Sequence, residues 1–118
     1  MNGRARTTED RIRAVAHGDF EGAGVITDLQ QGADGRPELD AESYQLVQIA
    51  ALAAIDAPHC SWLRHLEEAD EQEIGLDKIL GTLLAVAPVI GSAKMVSACA
   101  KIVRAAALGE EFGVLNEV

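Results

Sequence analysis

A chain of 118 residues has the length of a single folding domain and can bury a core without disulfide or metal staples. Apolar residues make up 48% of it and aromatic ones 3%. That argues against general disorder, and it leaves Ala, Leu, Ile and Val to build the core, which suits closely packed helices better than strands. The formal net charge is −9, with 5 basic against 8 acidic side chains up to Asp40 and 5 against 11 after it, so no basic surface awaits a phosphate backbone or an anionic membrane.

Two cysteines, Cys60 and Cys99, are too few for a disulfide framework and suit a reducing compartment. The first 13 residues are basic, but no apolar run follows them, and no stretch is long and apolar enough to span a bilayer. A cytoplasmic protein is expected, with neither nucleic acid nor membrane as partner.

In chain order, Thr7-Thr8-Glu9-Asp10 ahead of Arg11-Ile12-Arg13-Ala14-Val15-Ala16 predicts a short capped helix that stops at Gly18. Residues 18–39 hold five of the eleven glycines and Pro37 and read as loop, with a short helix over residues 25–31. The glycine string at 18, 22 and 24 follows no strand and is not a nucleotide loop. Asp40 is placed to cap a helix running to about Ile55. Its Leu46, Val47, Ile49 and Leu52 among alanines leave little polar face, as in a helix buried on several sides. Asp56-Ala57-Pro58 closes that helix and predicts the next start, with Asp56 as N-cap and proline in the first turn. That helix carries Trp62, Leu66 and Ala69 on one face and Arg64, Glu67, Glu68 and Glu71 elsewhere.

Gly75 breaks the chain again. Leu76, Ile79, Leu80, Leu83, Leu84 and Ala87 then recur at helical spacing over residues 76–87, and Pro88 and Gly91 punctuate. Ser92 can cap a last helix ending at Gly109, in which Met95, Val96, Cys99, Ile102, Val103 and Ala106 form an apolar stripe with Lys94, Lys101 and Arg104 off it. No run alternates with period two. The expectation is an all-α, compact bundle of about five helices. Residues 1–38 supply an N-terminal helix and glycine-rich loop, and residues 39–118 the helical domain. Two of the helices are too apolar for a lone monomer, so a homo-oligomer is expected.

Three stretches carry a family likeness: Leu39-Asp40-Ala41-Glu42 leading into Leu46-Val47-Gln48-Ile49-Ala50, then Trp62-Leu63-Arg64-His65, and Leu84-Ala85-Val86-Ala87-Pro88-Val89-Ile90-Gly91 with Ser97-Ala98. Together they resemble the carboxymuconolactone decarboxylase-like (alkylhydroperoxidase D-like) family over about residues 39–107. The most distinctive part is the Ala-Pro-x-x-Gly segment. The resemblance implies an alkylhydroperoxidase D-like helical fold assembled into trimers or hexamers. It also implies a histidine at position 65 that assists proton transfer, beside a CxxC whose thiol reduces peroxide in part of the family. Glu73 stands where the family usually has glycine at a helix end.

The redox motif is missing here. A thiol four residues before a histidine lies within roughly 40° of it around a helix and can share its proton. Counting back from His65, the family's thiol positions are Ser61 and Pro58. Cys60 is five residues away, about 140° around the helix, so it reads as a structural or surface thiol, with a redox role as the alternative. Cys99 reads as a packed core thiol. A metal site from His59, Cys60 and His65 lacks paired ligand spacing, and no cofactor is implied. The acidic run from Glu67 to Asp77 reads as a solvated face.

His65 remains. Either it is a partly buried histidine bonded to a carbonyl or to Ser61, or it is a general acid/base lining a pocket shaped by Ser61, Trp62 and Tyr44. Two functions follow. One is a non-catalytic helical oligomer that keeps the family's packing. The other is a decarboxylase or isomerase of a small molecule, whose carboxylate would want a cation; Arg64 points about 100° away from His65.

Overall fold

The computed structural model describes residues 7–21, 23, 24 and 38–112, with side chains up to residue 107. All regular elements among them are α-helices: α1 (Thr8–Ala16), α2 (Ala41–Ala54), α3 (His59–Glu71), α4 (Leu76–Ile90) and α5 (Ser92–Phe112). The short helix expected over residues 25–31 lies outside the described residues. Contacts divide the chain into two compact units, Met1–Asp40 and Ala41–Val118.

In the first unit, α1 opens on a reciprocal cap. The Asp10 amide donates to Thr7 Oγ1 at 3.1 Å, and the Thr7 amide donates to Asp10 Oδ2 at 3.3 Å, satisfying donors that a helix start leaves free. It closes on Gly18, whose φ of +82° is the left-handed conformation that lets the chain turn back. Gly18 N then bonds Val15 O and Asp19 N bonds Ala14 O, at 2.9 and 2.8 Å, the paired closure of a Schellman turn. Arg11 holds the unit's remaining described segments to the helix, donating from Nε to Ala23 O at 2.8 Å and pairing with Glu38 at 2.9 Å.

The second unit is built around α2 and α5. Each packs against the other three helices of the unit, whereas α3 and α4 make no close backbone approach to one another. The core joins Ile49 and Ala53 of α2, Trp62, Leu66 and Ala69 of α3, Ile79 and Leu83 of α4, and Ala98, Ala105 and Ala106 of α5. The buried positions of α5 are thus alanines. Met95, Cys99 and Ile102 pack against the core from its edge, but Val96 and Val103, expected on the buried stripe, are 70% and 67% exposed. A helix wedged among three others must approach them closely, and small side chains permit that where valine does not.

Four helix boundaries differ from expectation. Pro88 does not end α4, which runs on to Ile90; in the last turn a proline forfeits only one hydrogen bond. Gly91 makes the stop, at φ 91° and ψ 160°, a region essentially reserved for glycine. Ser92 is the first residue of α5 rather than its cap, and the α5 backbone passes through Gly109 to Phe112.

Asp56 is the fourth difference. Instead of capping α3, whose N-cap is Pro58, it closes α2 in the left-handed conformation at φ 53°. Asp56 N bonds Ala53 O at 3.2 Å, and Ala57 N bonds Leu52 O at 2.9 Å. Its side chain is thereby turned onto α5: Oδ1 accepts from Ser97 Oγ at 2.6 Å and from Lys101 Nζ at 2.9 Å, and the same ammonium donates to Ala57 O at 2.8 Å. The Ser97 hydroxyl, followed by the Lys101 ammonium, holds the Asp56 carboxyl below its ordinary range. A depressed carboxyl stabilises the fold fully above its unfolded-state pKa, and that contribution fades as pH falls through the lower, folded value. Ser97→Ala should therefore move the Asp56 titration upward in a carboxyl-detected NMR series and flatten the acid limb of the stability curve. An Asp56 titration unchanged by that substitution would refute the assignment.

The α3 end repeats the motif. Glu73 adopts φ 62°, Glu73 N bonds Asp70 O at 3.0 Å, and Ile74 N bonds Ala69 O at 2.9 Å, tucking Ile74 into the core. A residue with a Cβ is strained there by about 1 kcal/mol. Glu73→Gly should then raise stability by no more than about 0.5 kcal/mol, after the greater freedom of glycine in the unfolded chain is subtracted. Chemical denaturation measures this, and a net loss would contradict it.

Candidate functional site

α3 presents Trp62, Leu66 and Ala69 to the core, and His65 falls at the edge of that face, its side chain 16% exposed. α2 crosses the same edge with Gln45, which shares a buried line with Ile49 and Ala53 at four-residue spacing. Gln45 is 3% exposed, the buried polar residue of the described core. Its Nε2 lies 3.0 Å from His65 Nδ1 and 3.4 Å from the His65 carbonyl oxygen.

This double contact favours one tautomer of the neutral ring. A carbonyl oxygen can only accept, so the amide must present its nitrogen there, since the reverse orientation would set two acceptors together. The amide then donates to Nδ1 as well, and the imidazole proton of the neutral ring sits on Nε2. Glu68 Oε1 stands 3.7 Å from Nδ1, beyond a direct hydrogen bond. It is placed to meet a charged ring.

The other residues singled out from the sequence are dispersed. Trp62 is fully buried in the core, and its Nε1 finds no hydrogen-bond partner among the described residues. Both ring nitrogens of His59 are likewise buried and unpartnered there. Ser61 is half-buried one turn before His65, with its amide on Pro58 O at 3.0 Å. Tyr44 is half-buried on α2, beside Gln45 in the chain. Cys60 is exposed, and Cys99 lines a groove between α4 and α5. Arg64 is exposed and faces Glu68 at 3.7 Å. Among the described residues, no three His, Cys, Asp or Glu side chains converge as a metal site, and no helix is long and apolar enough to cross a membrane.

Gln45 is the site residue that reasoning on the sequence passed over. Its signal was a lone amide at the start of the apolar 45/49/53 line, where burial demands a partner. That partner, twenty residues on, is not visible from the spacing.

The fold and site together define a helical protein carrying a polar pair, Gln45 and His65, at the junction of two packed helices. No family model matches the chain, and no curated protein or solved structure does.

Proposed function

We propose that the chain is a self-associating helical protein of the carboxymuconolactone decarboxylase-like, alkylhydroperoxidase D-like kind that lacks the family's thiol peroxidase chemistry. The observation that carries this reading is that Nδ1 of His65 is taken by Gln45 rather than by a thiol, while Cys60 is exposed and Cys99 lies between α4 and α5. Thiol-based peroxide reduction requires a thiolate beside its proton acceptor, and Ser61 and Pro58 occupy the thiol positions of the motif. Glu73 supports the resemblance itself: at the position where the family usually has glycine, the backbone takes the left-handed turn that glycine favours.

The test combines two measurements on the full chain. Sedimentation should show an assembly, with a trimer or hexamer as the form the resemblance implies. Cumene hydroperoxide with dithiothreitol should be consumed no faster than without protein. Turnover that disappears in Cys60→Ser would overturn the reading.

A second reading is favoured by the Gln45 contact. An imidazole held with its proton on Nε2 is oriented for general acid/base work on a small molecule, a decarboxylation or isomerisation. Under this reading, a carboxylated lactone incubated in heavy water would exchange its acidic carbon-bound proton with the wild type and not with His65→Ala. Equal exchange with both proteins would remove it.

A further inference from the structure

The strongest feature outside the His65 site lies on the α4–α5 hairpin. Residues 79–93 form the longest stretch of the sequence without Asp, Glu, Lys or Arg, yet α4 is not enclosed by the rest of its unit. Leu80 and Leu84 are 49% and 58% exposed, and across from them Val96 and Val103 of α5 are 70% and 67% exposed. Leu80 and Val103 flank a groove of about 260 Å³ whose floor includes Leu83, Cys99 and Ile102. Leu84 lies one turn along from Leu80, and Val96 two turns along from Val103, so both pairs continue the same two ridges.

We infer that this face is where a second copy of the chain docks, through the same face in return. The inference rests on the self-association proposed above and names the surface that performs it. Two physical arguments select the occupant. The first is area: at these exposures the four ridge side chains present on the order of 450 Å² of apolar surface, over half the roughly 800 Å² that each partner contributes to a stable interface. Partly buried groove residues and the exposed small residues Gly81, Ala85 and Ala100 extend the patch.

The second argument is charge. Two copies of a chain with net charge −9 repel wherever acidic surfaces meet, and α3 with its following turn concentrates Glu67, Glu68, Asp70, Glu71 and Glu73. The uncharged α4 face allows two such chains to meet without opposing carboxylates. In a two-fold arrangement one patch satisfies both copies, and of the assemblies the resemblance implies the hexamer contains such contacts whereas the trimer does not.

The geometry supplies its own reporter. Cys99 lines the groove and would be covered in the assembly, whereas Cys60 is exposed on α3. Alkylation by N-ethylmaleimide, resolved by peptide mass spectrometry, should label Cys60 at the same rate at every protein concentration. Cys99 should be protected roughly tenfold in concentrated protein and released on dilution, as mass action requires. The double variant Leu84→Glu, Val103→Glu changes only exposed positions. It should sediment as a smaller assembly than the wild type, a half-hexamer where the wild type is a hexamer, with unchanged far-UV circular dichroism, and its Cys99 should react independently of concentration. Ile55→Glu, an exposed change on another surface, should assemble like the wild type.

A wild type that stays monomeric at hundreds of micromolar would overturn both this inference and the self-association on which it rests. A wild type that assembles while the double variant assembles equally well would overturn the face alone. Should the double variant misfold, the dilution dependence of Cys99 in the wild type still decides: a rate independent of concentration sinks the proposal.

Discussion

Replacing Trp62 with alanine should cost about 3–5 kcal/mol of folding free energy, the largest single effect expected in the protein. Trp62 is fully buried, and α3, which carries it, packs on both α2 and α5. Truncation removes the transfer free energy of the indole and leaves a cavity that the surrounding core side chains cannot fill without leaving their own contacts. Domains are stable by only about 5–15 kcal/mol, so the variant should unfold at far lower urea or be partly unfolded in buffer. Because this is the sole tryptophan, far-UV circular dichroism must report the transition. A loss below about 1 kcal/mol would mean that the core around the indole is loosely packed.

Trp62→Phe refines the same argument. The indole Nε1 is buried without a partner among the described residues, and an unmet buried donor costs about 1–3 kcal/mol. Phenylalanine removes that donor while leaving a smaller void than alanine, and the two changes oppose each other. The variant should stay within about 1 kcal/mol of the wild type. A deficit as large as that of the alanine variant would show that the donor is in fact satisfied.

These sites show which features could be read in advance. Helix α1 was legible almost atom by atom, because its cap, its acidic first turn and Gly18 are all local. The Trp62, Leu66, Ala69 face was legible because periodicity alone determines it. Asp56 was misread because aspartate before Ala-Pro serves equally as the start of one helix or the close of the previous one. What decides between them is Ser97 and Lys101, more than forty residues away. The α5 stripe was misread for a related reason. Hydropathy ranks valine above alanine, but the room between helices ranks them the other way, placing Ala98 and Ala105 inside and Val96 and Val103 outside. Tertiary distance, not local preference, settled both.

The Gln45–His65 contact carries the proposed function, and its removal should have the second-largest effect. Gln45→Ala leaves His65 Nδ1 without its donor in a partly buried setting, while the His65 carbonyl keeps its helical hydrogen bond, and the loss should cost about 1–3 kcal/mol. Gln45→Leu separates the contributions, since it keeps the buried volume and removes only the hydrogen bonds. If the leucine variant matches the wild type in stability, burial and not the amide accounts for Gln45. The tautomer provides a readout that a purely structural role would not move. In the wild type, nitrogen-15 spectra of neutral His65 should show a bare Nδ1 and a protonated Nε2. Without the amide, the carboxylate of Glu68, 3.7 Å away, becomes the strongest acceptor near Nδ1. Part of the population should then carry its proton on that nitrogen. The atom offered to a substrate would change from an N–H donor to a bare nitrogen, so any proton-transfer activity of His65 should fall in Gln45→Leu even where the fold survives. Proton transfer undiminished in that variant would mean that Gln45 holds the helices together and leaves the chemistry of the histidine untouched.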